Sequence, residues 1–469
     1  MDLHGFVYGA VVACFAYLAS VYAAFALVLA ASALEHAFRT RQGLTEDYDA
    51  LADSRHTIPV SVVAPAYNEE VVVASAVESL LALDYPEYEV VVVNDGSTDA
   101  TMRVLRRTFD LERREVFWRR QFDCRHVRAI YRSRRDPRLV VVDKENGGKA
   151  DALNAGLNLA RYRYVCTVDS DTVFFRHALL RAMRVAVRDP AAVVGVTSKV
   201  TISRRPEEGD PSRPGAQRID DQALTNFQLL DYLRAFVNNR LGWTRWNFML
   251  CSVGAFAIWR RDVVVELGGF SSAFTCEDIE FTFRVHEHFR RLGRPCRVIA
   301  LPESVGRTEG PDTITRLVSQ RARWQRVITE TVWHYRRMFL NPRYGSVGLV
   351  GVPYYVLVEV LAPVFQVISV VVAPLAWWLG LISGADFVLL LLAMALLNGV
   401  LTNVAIGLYD RGTRAYPLGD LVHLMLLGPL DLFLYRPILF YAQAKGLLDF
   451  LRGDKSWHKF ARNRRAANA

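Results

Sequence analysis

The chain has 469 residues, 52% of them apolar and 22% charged, with a formal charge of +9. That length exceeds one small domain, and so large an apolar share is unusual for a single soluble one, which points first to a membrane. The basic excess comes without a helix-turn-helix, zinc-finger or RNA-recognition pattern, so no nucleic-acid partner is expected, and membrane topology and phosphate chemistry account for it better.

From Phe6 to Leu34 no Asp, Glu, Lys or Arg occurs. As a helix this stretch measures about 43 Å at ~1.5 Å per residue, longer than a ~30 Å hydrocarbon layer, so residues 5–34 are expected to cross once, tilted. The opening Met1-Asp2-Leu3-His4 carries no basic charge and reads as the start of an uncleaved anchor, not of a signal peptide. Arg39, Arg41 and Arg55 follow the span and none precedes it, which puts the N-terminus outside and the long central region in the cytoplasm. The six cysteines, at 14, 124, 166, 251, 276 and 296, show no paired or Cys-x-x-Cys spacing and are expected to be free thiols in a reducing compartment.

Beyond a polar linker at 42–57, β-branched runs alternate with helical stretches. Val60 to Ala64, Glu89 to Asn94, Leu139 to Val142 and Tyr164 to Val168 are expected as buried strands, with helices from about Glu70, Asp99 and Lys149. This is an α/β pattern with a largely parallel sheet. An arginine-dense interruption between Asp110 and Arg138 suits either a solvated insertion or a surface facing anionic lipid headgroups. Apolar sequence returns over 346–445: Val347 to Ser383 reads as an interfacial helix followed by one span, and Phe387 to Leu408 as a cleaner span. Leu421 to Ala444, with Asp431, Arg436, Pro429 and Pro437, reads as re-entrant or interfacial, and 446–469 as a basic cytoplasmic tail.

Ligands of open α/β sheets bind beyond the carboxyl ends of the strands. Pro65-Ala66-Tyr67-Asn68-Glu69 follows the first expected strand and Asn94-Asp95-Gly96-Ser97 the second, although each is also ordinary turn chemistry. Lys144-Glu145-Asn146-Gly147-Gly148-Lys149-Ala150 is not a P-loop, because the earlier glycine and the following Ser/Thr are missing. In Asp169-Ser170-Asp171 an extended backbone turns both carboxylates to one side, where hard oxygens suit Mg²⁺ or Mn²⁺ on a diphosphate. Glu277-Asp278 opens an expected helix running to Arg291, a place acidic residues also occupy to complement the helix dipole. Gln320, Arg323 and Trp324 share one helical face by their i, i+3, i+4 spacing.

These six motifs, in this order over residues 58–330, resemble the family 2 glycosyltransferases, in particular the processive membrane synthases of cellulose, chitin, hyaluronan and poly-N-acetylglucosamine. The resemblance implies a GT-A nucleotide-sugar domain, an α/β fold of Rossmann-like type, inserted between transmembrane helices of a multi-pass plasma-membrane protein. It implies that Tyr67, Glu69 and Asp95 hold uracil and ribose, that Lys149 meets the diphosphate, and that Asp169 with Asp171 binds donor and metal. It further implies Asp278 as general base, Gln320 and Arg323 on the pyrophosphate, and Trp324 beneath the acceptor sugar. The expected activity is inverting transfer from a UDP-sugar, N-acetylglucosamine first and glucose second, to a growing β-linked glycan, with room for an accessory membrane or export subunit. A non-processive enzyme with a lipid acceptor, and a transport channel with a regulatory nucleotide-sugar domain, remain open rivals. Two departures from the family pattern are Cys276, where a Thr is usual, and the segment Cys251-Ser252-Val253-Gly254-Ala255 in place of an acceptor-proximal loop.

Overall fold

Four valine-rich runs make the centre of the sheet, as residues buried on both faces of parallel strands must be apolar throughout. They are β1 (Val60–Ala66), β2 (Tyr88–Asp95), β5 (Leu139–Lys144) and β6 (Tyr164–Val168), paired in parallel in the order β5-β2-β1-β6. The computed structural model describes residues 3–43, 57–202 and 217–454. The linker at 44–56, Arg55 within it, and the tail lysines and arginines from Lys455 onward lie outside the described residues.

The described chain divides into two units. One, built from residues 38–43, 57–202 and 249–309, carries a ten-stranded sheet. On one side β5 continues antiparallel into β4 (Val127–Ser133) and β3 (Leu111–Arg114). On the other, β6 pairs antiparallel with β9 (Phe256–Arg260), followed by β8 (Val193–Ile202), β10 (Arg297–Thr308) and the short β7 (Val173–Phe174). Val60, Val62, Val90, Val92, Leu139 and Val141 join one buried cluster with residues of the helices Val73–Leu81, Thr101–Phe109 and Ala178–Ala186. The helix Lys149–Leu159 packs on β1 and β2. The arginine-dense stretch thus contains the edge pair β3 and β4, strands that its composition hid. Strand order reverses where β1 lies between β2 and β6, so the crevice expected for a ligand opens beyond the carboxyl ends of β1 and β6.

The other unit, residues 3–37, 217–248 and 310–454, is helical among its described residues. Residues 217–248 and 310–330, inside the expected span of 58–330, therefore cluster with the apolar helices. Among the described residues three helices are long and apolar enough to cross a membrane: Leu3–Arg41, Val347–Trp378 and Gly384–Arg411. The expected split of Val347 to Ser383 into two pieces is replaced by one 32-residue helical run. Short π-helical turns, Val347–Gly351 and Val356–Val360, precede two of its three prolines: Pro353 and Pro363 fall in the first positions of the α-helical pieces that follow, while Pro374 lies inside the helix Ala362–Trp378. Leu418–Leu434 and Arg436–Leu451 meet at a 51° bend, the form of a broken span or a re-entrant loop. Asp431, fully buried there, is held by Arg234 at 2.7 Å and Arg436 at 2.9 Å. All six cysteines are free.

Candidate active site

The loops after β1 and β2 are locked to each other. Asn68 N donates to Ser97 Oγ at 3.0 Å, and Thr98 N returns a bond to Asn68 Oδ1 at 2.8 Å. Glu69 N donates to Thr101 Oγ1 at 2.7 Å, Glu70 N to Asp99 Oδ2 at 3.1 Å, and Ala100 N to Glu70 Oε2 at 3.0 Å. Tyr67, which follows β1, is half-buried. Asp95 is almost fully buried and its carboxylate accepts three hydrogen bonds: Oδ1 from Lys144 Nζ at 2.5 Å and from Gly147 N at 3.0 Å, and Oδ2 from Gly148 N at 2.8 Å. Asp95 thus holds the glycine turn, with three of about four acceptor positions used and Oδ2 left with one bond. Its partner Lys144, with no exposed side chain, also pairs with Asp151 at 2.6 Å. No role for Lys144 follows from the motif. The available signal is a lysine ending a run of buried valines in register with Asp95, and that register is a tertiary fact.

Lys149, at the start of its helix, reaches Asp169 at 2.7 Å and Glu277 at 2.9 Å. Burial opposes its charge, but Asp169, Glu277 and Asp278 outweigh that and hold its pKa well above the ordinary lysine value. Burial pushes the Glu277 carboxyl up, Lys149 pulls it down, and Asp278 adds to the rise. The expected helix Glu277–Arg291 is present, and Cys276 at its N-cap makes no side-chain capping bond. Asp278 Oδ1 accepts from Ile279 N at 2.7 Å. Its backbone carbonyl accepts from Ser252 Oγ at 3.1 Å and Thr282 Oγ1 at 2.7 Å, while Val253 N donates to Thr197 Oγ1 at 3.1 Å. The Cys251 to Ala255 segment therefore pins the first turn that carries Asp278.

Gly254 is required by close approach. A Cβ there would lie 2.8 Å from Asp278 Oδ2 and 2.9 Å from Lys149 Nζ. Both are ends of flexible side chains, so Gly254→Ala should leave thermal stability nearly unchanged yet displace the two groups. An approximately ångström-scale shift of reacting groups costs on the order of 10²-fold in rate. Full turnover by this variant in a nucleotide-release assay would remove the loop from the site.

In the helical unit, Gln320, Arg323 and Trp324 lie on the helix Ile314–His334, which Thr313 caps by accepting from Arg316 N. Gln320 Oε1 is buried without a hydrogen-bond partner among the described residues. Trp324 does not present two open faces. The Arg321 guanidinium lies over its ring at 4.2 Å and Tyr232 is tilted against it at 6.1 Å. Arg321 in turn pairs with Asp231 at 3.0 Å. The i, i+3, i+4 motif misses this cluster because Asp231 and Tyr232 come from a distant helix, Ala223–Leu233.

Among the described residues, no three His, Cys, Asp or Glu gather as metal ligands. β6 ends at Val168, and Ser170 and Asp171 lie in a turn, not in the extended stretch expected; the half-buried Asp169 and Asp171 are nonetheless of the hard-oxygen type a divalent cation takes, one or two carboxylates commonly sufficing beside substrate phosphates and water.

A family model described as glycosyl transferase family 2 matches residues 61–264, and one described as glycosyl transferase family group 2 matches residues 164–402, just over half of the 469. The chain belongs to the family 2 glycosyltransferases. This family 2 glycosyltransferase is 24% identical over 266 residues to the poly-β-1,6-N-acetyl-D-glucosamine synthase of Staphylococcus aureus strain COL, a match covering 56% of this chain and 53% of the relative. The synthase of the same name from Staphylococcus epidermidis matches with the same identity and coverage. The chain thus spans about half the length of the curated relatives it matches. A mannosyltransferase from Pyrobaculum calidifontis, solved with GDP-mannose and Mn²⁺, aligns over 93% of this chain and 99% of its own, with TM-score 0.50 and 18% identity. That likeness shows the fold, which is GT-A.

Proposed function

We propose that the protein is an inverting glycosyltransferase that moves N-acetylglucosamine, or glucose as second choice, from a UDP donor to a growing β-linked polysaccharide at the cytoplasmic face of the membrane. The observation that carries this reading is the convergence of Lys149, Asp169 and Glu277, with Asp278 beside them, at the crevice beyond β1 and β6. The staphylococcal relatives, synthases of poly-N-acetyl-D-glucosamine, support N-acetylglucosamine and a polymeric product. Three membrane-capable helices among the described residues support a membrane setting, and Arg39 and Arg41 at the end of the first helix support a cytoplasmic domain.

In this reading Asp278 takes the proton of the acceptor hydroxyl as its oxygen attacks the anomeric carbon, and UDP leaves with the bonding electrons. One in-line displacement inverts the centre, so an α-linked donor gives a β-linkage. Tyr67 and Glu69 hold the nucleoside, Asp95 shapes the loop around it, and Lys149 meets the diphosphate. Gln320 and Arg323 add donors to the leaving group, and Trp324 supports the acceptor sugar. Asp169 and Asp171 would hold Mg²⁺ or Mn²⁺, which supplies positive charge to the diphosphate.

Purified full-length protein should release UDP from UDP-N-acetylglucosamine faster than from UDP-glucose or UDP-galactose, with GDP-mannose as a further comparison. Excess chelator should abolish release, and added Mg²⁺ or Mn²⁺ restore it. Equal activity with chelator and with metal would discard the two-carboxylate assignment, and release only from GDP-mannose would discard the UDP donor.

A further inference from the structure

The strands β3 and β4 and the loop between them line an open pocket of about 460 Å³, a size typical of ligand sites. Arg113, Arg114, Arg120, Arg125, His126 and Trp118 line it, against a single carboxylate, Glu115. Arg114 is engaged by Glu112 and Arg120 by Asp123. Arg113 and Arg125 have no ion-pair partner among the described residues, so two guanidinium forks face the cavity uncompensated. Such forks match phosphate oxygens. In the same loop Phe117 is wholly exposed, and Trp118 beside it is half-buried. A large apolar ring standing in water next to unpaired arginines is the arrangement of a surface that meets headgroups with its charges and acyl chains with its ring.

We propose that this pocket holds the phosphate of an anionic phospholipid headgroup, with Phe117 entering the apolar layer beside it. A bilayer, rather than free phosphate, is favoured by Phe117, which a soluble phosphate ligand would leave exposed, and by the three membrane-capable helices of the same chain. Occupancy has a route to the glycine turn. Arg125 N donates to Asp151 Oδ2 at 2.9 Å, Asp151 pairs with Lys144, and a Cβ at Gly147 would lie 2.8 Å from Arg125 Cγ.

Full-length protein in neutral detergent is titrated with dihexanoyl phosphatidylglycerol below its micellar concentration, and in parallel with glycerol phosphate, binding being followed by thermophoresis. Wild type should bind the lipid saturably, Arg113→Gln/Arg125→Gln at least about tenfold more weakly, and Phe117→Ser about three- to tenfold more weakly. Because Phe117 packs on nothing, its substitution leaves folding intact, and the melting temperature of each variant checks this. No saturable binding by wild type, or equal binding by the double variant, overturns the site. Glycerol phosphate binding as tightly as the lipid, with Phe117→Ser unaffected, overturns the lipid assignment. The readout involves no sugar transfer, so its failure is distinct from failure of the donor reading.

Discussion

Asp278→Asn should abolish sugar transfer, lowering kcat by about 10²–10⁴-fold, the usual worth of a positioned general base, while UDP affinity stays within a few-fold. The substitution preserves shape, and its amide oxygen can still accept from Ile279 N as Asp278 Oδ1 does at 2.7 Å. What disappears is the ability to take a proton, together with one of the carboxylates that hold Lys149 charged. A simpler role is available to the same residue, since an acid in the first turn of Glu277–Arg291 complements the helix dipole, worth only about 0.3–1 kcal/mol. The two roles separate in one pair of measurements. If Asp278→Asn melts slightly earlier and still turns over, the residue caps a helix and another base must be sought.

Lys144→Met should be the most damaging substitution to stability. Lys144 is fully buried and joins Asp95, 4% exposed at its side chain, to Asp151, 15% exposed. Methionine fills similar volume but leaves both carboxylates without their cation, and breaking a buried pair by removing one partner typically costs about 3–5 kcal/mol. The loss should appear as a lower unfolding temperature and as weaker UDP binding, since Gly147 N and Gly148 N depend on Asp95 for their placement. Adding Asp95→Asn to Lys144→Met removes one of the stranded charges and should recover part of the stability. A single variant as stable as wild type would mean that water or rearrangement satisfies Asp95, and the node would then be dispensable.

The centre of the sheet was legible because its strands are buried on both sides, which forces runs such as Val90-Val91-Val92-Val93. The far half was not. β8 is buried along its length yet reads Thr-Ser-Lys in the middle, and β10 contains Pro302 and shifts register between Leu301 and Ser304. Leu111–Arg114 pairs with one strand only, so its outer residues stay charged and carry no strand signal. Lys149, Asp169 and Asp278, which the structure brings together, stand out in the sequence because strand ends and helix starts mark them locally. The service of Lys144 to Asp95 and the cover of Trp324 by Arg321 depend on which segments lie side by side, which no local spacing encodes.

The reciprocal hydrogen bonds between the Asn68 to Glu70 loop and the Ser97 to Ala100 loop bear on how such an enzyme can be re-engineered. Each loop supplies both donors and acceptors to the other, so neither has a stable shape that is its own. Grafting one of them from a relative that takes a different nucleotide would strand side chains built for the absent counterpart. On the proposed reading, in which this rim holds the nucleoside, the unit to exchange is the pair, and a chimaera has to carry both segments together.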